Sequence, residues 1–196
     1  MLKQTGVSLI ELMIGLAVLG IVLAIAVPNL TAWMQNAQVR TAAESILSGI
    51  RVAREEAVRR NYQATFYLLS SSGIGDWCVD TTDVVNAANV DCRGNAATAI
   101  KTVQSWKGAQ AKNARVGAST AATQNYATAL AAAAGLPAQV TFNSLGRVVG
   151  TGITRIDVTS AAGSGARTLV IIISPYGLAR LCDPSLSLAA NPQGCA

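Results

Sequence analysis

Histidine is absent from all 196 residues. The side chain that most often serves as a general base near neutral pH is therefore missing, and so is the commonest zinc ligand. Charge is sparse: Asp, Glu, Lys and Arg together make up 13% of the chain, and aromatic residues 5%. The cysteines contain no Cys-x-x-Cys pair, so a zinc centre lacks a ligand set. No Gly-Lys-Ser/Thr follows Gly73-Ile74-Gly75, which leaves that run too short to cradle a phosphate. Asp76, Asp80 and Asp83 do not follow the twelve-residue calcium-loop layout, and Trp77 and Cys78 interrupt them. They read as solvated loop acids. This inventory predicts no enzyme, no metal and no cofactor.

What the chain does have lies first at its N-terminus. Met1 to Gly6 form a short leader carrying Lys3, and a long apolar run follows from Val7. Glu11 breaks that run, and no charge occurs from Leu12 to Val27. As a helix, residues 7–27 would span ~32 Å at ~1.5 Å per residue, close to the hydrocarbon thickness of a bilayer. A carboxylate in lipid costs on the order of 2.5–3.5 kcal/mol, so Glu11 calls for a partner. After the leader no basic residue occurs until Arg40, which predicts the leader in the cytoplasm and the bulk of the chain across the membrane.

A secretory signal places its small-residue cleavage site after the apolar core. Here the small residue, Gly6, precedes it. The string Gly6-Val7-Ser8-Leu9-Ile10-Glu11-Leu12, with Pro28 further along, resembles the class III signal of type IV pilins, pseudopilins and minor pilins. That resemblance implies cleavage by a prepilin peptidase between Gly6 and Val7, and N-methylation of Val7. It also implies pairing of Glu11 with the N-terminus of a neighbouring subunit during assembly. Physical chemistry agrees: in a low-dielectric medium an ammonium–carboxylate pair relieves the burial cost of each charge. Gly15, Ala17 and Gly20 permit close helix approach.

The expected division is a leader over 1–6, a transmembrane helix over 7–29, an amphipathic helical half over 30–60 and a β-rich periplasmic or extracellular domain over 61–196. Val39, Ala43, Ile46, Ile50, Ala53 and Ala57 recur at spacings of three and four, one apolar stripe of a helix. Leu47 and Val58 widen it. Arg40, Glu44, Arg51, Arg54, Glu55, Glu56, Arg59 and Arg60 fill the opposite, solvated face.

Beyond Arg60 the pattern turns to strands, predicted over 62–68, 98–106, 139–142, 147–149, 153–159, 168–173 and 178–181. The continuous apolar run within 168–173 suggests a central strand. Turns are expected at Asn143–Gly146 and Pro175–Gly177, and loops over 70–76 and 83–95. The alanine-rich stretch 118–135 fits either a short helix or a surface insertion.

Cys78, Cys92, Cys182 and Cys195 form an even set in a chain read as exported. Of three pairings, Cys78–Cys92 and Cys182–Cys195 close short, turn-rich loops and are favoured. Each such loop is worth ~3 kcal/mol in the chain-entropy model.

The fold class expected is α+β and pilin-like: a long N-terminal helix packed on a mostly antiparallel sheet domain. Val140-Thr141-Phe142-Asn143-Ser144-Leu145-Gly146-Arg147, together with Arg180-Leu181-Cys182-Asp183-Pro184 and Gly194-Cys195, resembles the GspH/FimT/FimU minor pilins. That implies a structural subunit of a type IV pilus, active in assembly initiation or at the tip. Its partners would be other major and minor pilins, the prepilin peptidase, the inner membrane and the pilus assembly platform. A type II secretion pseudopilin shares the same signal and fold, and the Cys182-Asp183-Pro184 ending favours the pilus. Some relatives bind DNA through Gly-Arg-x-Arg. The matching stretch here, Gly177-Leu178-Ala179-Arg180, keeps only the last arginine. Arg147, Arg155, Arg167 and Lys101 would add phosphate contacts. From Asn61 onward nine basic residues stand against six acidic ones, and nucleic acid is the disfavoured partner.

Overall fold

The computed structural model describes residues 8–69, 73–82, 88–94, 96–121, 125–161 and 167–195, with side chains at 25–29, 88–90 and 96–99 left aside. Gly6, Val7 and Asp83 lie outside the described residues. Two compact units emerge, Met1–Met34 and Gln35–Ala196.

Helix α1 runs from Leu9 to Arg60. Its composition explains its length: alanine, leucine and other residues without a β-branch dominate, and Pro28 is its only proline. It stops where Asn61 turns left-handed at φ 56°, a conformation asparagine tolerates at a helix C-terminus. Arg59 and Arg60 in the last turn suit the negative end of the helix dipole.

In the first unit every large apolar side chain from Leu9 to Leu23 is 51–78% exposed. Among the described residues no helix is long and apolar enough to cross a membrane, so the anchor remains a reading of the sequence.

In the second unit the stripe Val39, Ala43, Ile46, Ile50, Ala53 and Ala57 is buried. Val58 is an exception to the expected stripe: it is half exposed, although Ala57 beside it is buried. Among the described residues ten strands follow: β1 (Ala64–Leu68), β2 (Trp77–Thr82), β3 (Ala88–Val90), β4 (Ala96–Trp106), β5 (Ala114–Ser119), β6 (Ala138–Phe142), β7 (Val148–Val149), β8 (Arg155–Ser160), β9 (Leu169–Ile173) and β10 (Ala179–Cys182). They form two sheets rather than one, ordered β3-β4-β2-β1-β6-β7 and β10-β9-β8-β5. Every strand pair is antiparallel.

The α1 stripe shares one core with both sheets: Phe66, Leu68, Trp77 and Val79 from the larger, Ile156, Val158, Leu169, Ile171 and Ile173 from the smaller. Gly49 lets the helix pack tightly on the larger sheet. A Cβ there would lie 2.8 Å from the Trp77 ring and 2.9 Å from Phe66. Trp77 also donates its indole N–H to Ser45 Oγ at 3.0 Å, which satisfies its polar edge inside the core.

Strands β2 and β5 were not legible as strands, and β3 interrupts the loop expected over 83–95. Residues 118–135 form no helix among the described residues: Ala118 and Ser119 finish β5, and the described remainder is turns.

Candidate functional site

Side chains alternate along a strand, so each sheet has two faces with separate fates. On the smaller sheet the even-numbered core residues of β8, Ile156 and Val158, face α1. Arg155 and Asp157 face the other way. Register aligns Arg155 with Ile172 and Asp157 with Val170, then Ile172 with Arg180 and Val170 with Cys182. The outer face is therefore a row of Arg155, Ile172 and Arg180 beside a row of Asp157, Val170 and Cys182.

Two segments cover this face. One is the alanine-rich insertion. Arg155 donates from Nη1 to Asn125 O at 2.6 Å and from Nη2 to Thr128 O at 2.9 Å. Asp157 Oδ2 accepts from the Leu130 amide at 2.8 Å. Tyr126 lies over the Arg155 guanidinium at 5.0 Å and packs against the group formed by Val170, Cys182 and Cys195. The other segment is the C-terminal loop, closed by the Cys182–Cys195 disulfide. Arg180 holds it by donating to Gly194 O at 3.1 Å and Cys195 O at 2.9 Å.

Arg155 is 2% exposed and salt-bridged to Asp157 at 2.6 Å, so it cannot reach a phosphate. Arg180 is committed to the C-terminal loop, and Arg167 pairs with Asp183 at 3.0 Å. Arg147 is exposed with its guanidinium 5.7 Å from the Tyr176 ring centroid. Of the arginines offered for DNA contact, Arg147, Arg167 and Arg180 are exposed and Arg155 is buried.

Asp80, expected as a solvated loop acid, is buried, and so are Asp91, Asp157 and Asp183. Cys78 is bonded to Cys92, and two acids, Asp80 and Asp91, lie near this crosslink in sequence. Asp80 Oδ2 accepts from the Cys92 amide at 3.0 Å, while its Oδ1 has no partner among the described residues. Asp91 pairs with Arg93, whose guanidinium lies 4.2 Å above the Tyr67 ring. Burial pushes the Tyr67 phenol up; the Arg93 charge opposes this and Asp80 and Asp91 reinforce it. No group of acids and cysteines among the described residues is arranged to hold a metal ion.

At Asp183, burial works to raise the carboxyl. Hydrogen bonds from the Ser185 hydroxyl and amide and from Arg167, together with the Arg167 charge, outweigh it, and the pKa lies below the usual value. Glu56 behaves alike, with burial overcome by Arg60 and Arg59. In the first unit Glu11 is exposed and has no hydrogen-bond or ion-pair partner among the described residues.

Sequence reasoning missed the Arg155–Asp157 pair, although two opposite charges two residues apart in a strand share a face and were a usable signal. It also missed an exposed apolar group of Val58, Leu145, Tyr176 and Leu178, drawn from α1 and two separate turns.

A family model described as "Type II transport protein GspH" matches residues 42–177. The prokaryotic N-terminal methylation motif matches residues 1–27. Among solved structures, the type IV minor pilin FimU of Pseudomonas aeruginosa PAO1 is similar at 19% identity, over 84% of this chain and 99% of that one, with a TM-score of 0.52. The minor pseudopilin EpsH of the Type 2 Secretion System of Vibrio cholerae is 11% identical over 76% of this chain and 99% of its own, with a TM-score of 0.44. No curated protein matches by sequence. At these identities the FimU likeness speaks to the fold, a long helix on antiparallel sheets, while the family model spans well over half the chain. The chain belongs to the GspH family of minor pilins and pseudopilins, whose members are structural subunits, and it carries a prepilin-type methylation motif.

Proposed function

We propose that this chain is a minor pilin, a structural subunit of a type IV pilus that contributes to assembly initiation or to the tip. The observation that carries this reading is the apolar run of Leu9–Leu23, exposed throughout and interrupted by Glu11, which has no partner among the described residues. Nothing in the described chain covers that run, and a helix apolar all round seeks lipid or other helices. Before assembly it sits in the inner membrane, with Gln35–Ala196 on the periplasmic side. The prepilin peptidase cuts between Gly6 and Val7 and methylates Val7. In the fibre, Glu11 pairs with the N-terminal amine of a neighbouring pilin, with the assembly platform driving insertion. The chain acts as no enzyme and uses no cofactor.

The family description favours a second reading, a type II secretion pseudopilin. Gene disruption separates the two: loss of surface pili supports the first, and loss of protein secretion with intact pili supports the second. DNA uptake is the weaker alternative, since Arg155 is buried and Arg180 is engaged.

The assembly role is tested by complementing a disrupted strain with the wild-type chain or with Glu11→Ala. Immunoblots of sheared fibres and of membranes are compared. We expect equal membrane levels and at least about a tenfold drop in the fibre fraction for the variant, the loss of roughly 1.4 kcal/mol of pairing. Equal incorporation would remove Glu11 from assembly.

A further inference from the structure

We propose that the end of the globular unit bearing the last turns of α1 docks an acidic segment of a different protein. Four apolar side chains meet solvent there: Leu145 at 74%, Tyr176 at 66%, Leu178 at 61% and Val58 at 51% exposed. Single exposed apolar residues are ordinary, but a cluster drawn from three elements marks an interaction surface. The cluster is held in place. Arg54 Nε donates to Gly146 O at 3.1 Å, and the Val148 amide donates to Pro175 O at 3.1 Å. At Gly177, with φ +79°, any side chain would strike the Gly146 carbonyl oxygen. The two turns are thus stacked on each other and on α1.

Two grooves lie beside the cluster and share Arg54 and Glu55. One, of about 260 Å³, runs between Arg51 and Leu178. The other, of about 390 Å³, runs between Val58 and Arg59. Arg51, Arg54 and Arg147 rim the apolar centre. Glu55 is the exposed carboxylate among them, because Glu56 is taken up by Arg59 and Arg60. An aromatic and aliphatic centre ringed by arginine is the composition of a binding hot spot. Its charge selects an acidic occupant.

The described residues of Gln35–Ala196 give a second copy of this chain little to offer this surface. Among the described residues of Gln35–Ala196 the exposed acids are Glu44 and Glu55. Glu44 is paired with Arg40, and Glu55 belongs to the surface itself. Nucleic acid fits less well, since Tyr176 is the one aromatic ring in a cluster whose other members are aliphatic and offer bases nothing to stack on. This docking goes beyond the fibre reading and does not depend on it, because the surface lies wholly within the second unit.

The test uses the full chain in detergent micelles and a fluorescein-labelled peptide, Glu-Leu-Glu-Phe-Glu-Leu-Glu, read by anisotropy. The controls are the same peptide with Gln or Lys in place of Glu, and a labelled oligo-dT strand. We expect the acidic peptide to bind at least about tenfold more tightly than the Gln peptide, with the Lys peptide weaker still. Leu178→Ser, Tyr176→Ser and Arg147→Glu should each weaken binding several-fold, and the distant Lys112→Glu should not. Thermal melts confirm that each variant is folded; these side chains are exposed, so a variant that does not fold is replaced by Leu145→Ser. Equal binding of the Gln peptide, failure of the acidic peptide to bind, or indifference to all the surface variants would overturn the proposal. Tighter binding of oligo-dT, lost in the same variants, would assign the surface to nucleic acid instead.

Discussion

Arg155 and Asp157 meet through two short hydrogen bonds of 2.6 Å on one face of β8, with solvent excluded from both. This pair does more than neutralise itself. The remaining guanidinium hydrogens and the second carboxylate oxygen reach out to the backbone of the segment that lies across the sheet. A buried pair is stable only when such further bonds satisfy it.

Removing one member should therefore be severe. Arg155→Met leaves Asp157 charged and buried and is expected to lower stability by about 3–5 kcal/mol. Adding Asp157→Leu removes the stranded charge and should restore part of that loss. The rest reflects the Asn125 and Thr128 carbonyls and the Leu130 amide, each worth about 1–3 kcal/mol when left unpaired in the interior. Urea unfolding of the four proteins of the cycle measures the coupling, and additive effects would contradict it.

Gly49 offers a second measurement. Alanine ordinarily gains about 1 kcal/mol over glycine inside a helix. Here its Cβ would press on Trp77 and Phe66, and overpacking costs about 1–3 kcal/mol. Gly49→Ala should come out neutral to destabilised and Gly49→Val clearly destabilised, by differential scanning calorimetry. A rise in melting temperature for Gly49→Ala would mean that the Trp77 ring yields.

Asp183 gives a pH dependence of defined sign. Its pKa lies lower in the fold than in the unfolded chain, so it contributes stability above about pH 4. That contribution is lost as pH falls through the depressed folded value. Asp183→Asn should be less stable than wild type at pH 7, and the gap should narrow steadily below about pH 4. Urea midpoints at about pH 7 and about pH 2.5 would show it, and a gap independent of pH would refute it. The Arg167 partner is 45% exposed, which makes the effect smaller and salt-sensitive.

The long helix, the buried stripe and the antiparallel strands were legible because each is a local repeat. Val39 to Ala57 keep helical spacing, and β9 is an unbroken apolar run. Strand β2 was hidden because its sequence, Trp77 to Thr82, is buried on both faces and so shows no alternation. Strand β5 was hidden by its small residues, Gly117 and Ala118 among them. Asp80 looked like a loop acid, and the burial of Asp157 and Asp183 was not legible, because their partners, the Cys92 amide, the Leu130 amide and Arg167, are supplied by the folded topology. The surface formed by Val58, Leu145, Tyr176 and Leu178 was illegible for the same reason: no two of its three elements are neighbours in the chain.

The segment across β8 is gripped by its carbonyls and an amide at Asn125, Thr128 and Leu130, while Ala127, Thr128 and Ala129 turn outward. Those three identities are therefore unconstrained by the clasp. Evolutionary drift has room there, and so does the grafting of a foreign epitope for display.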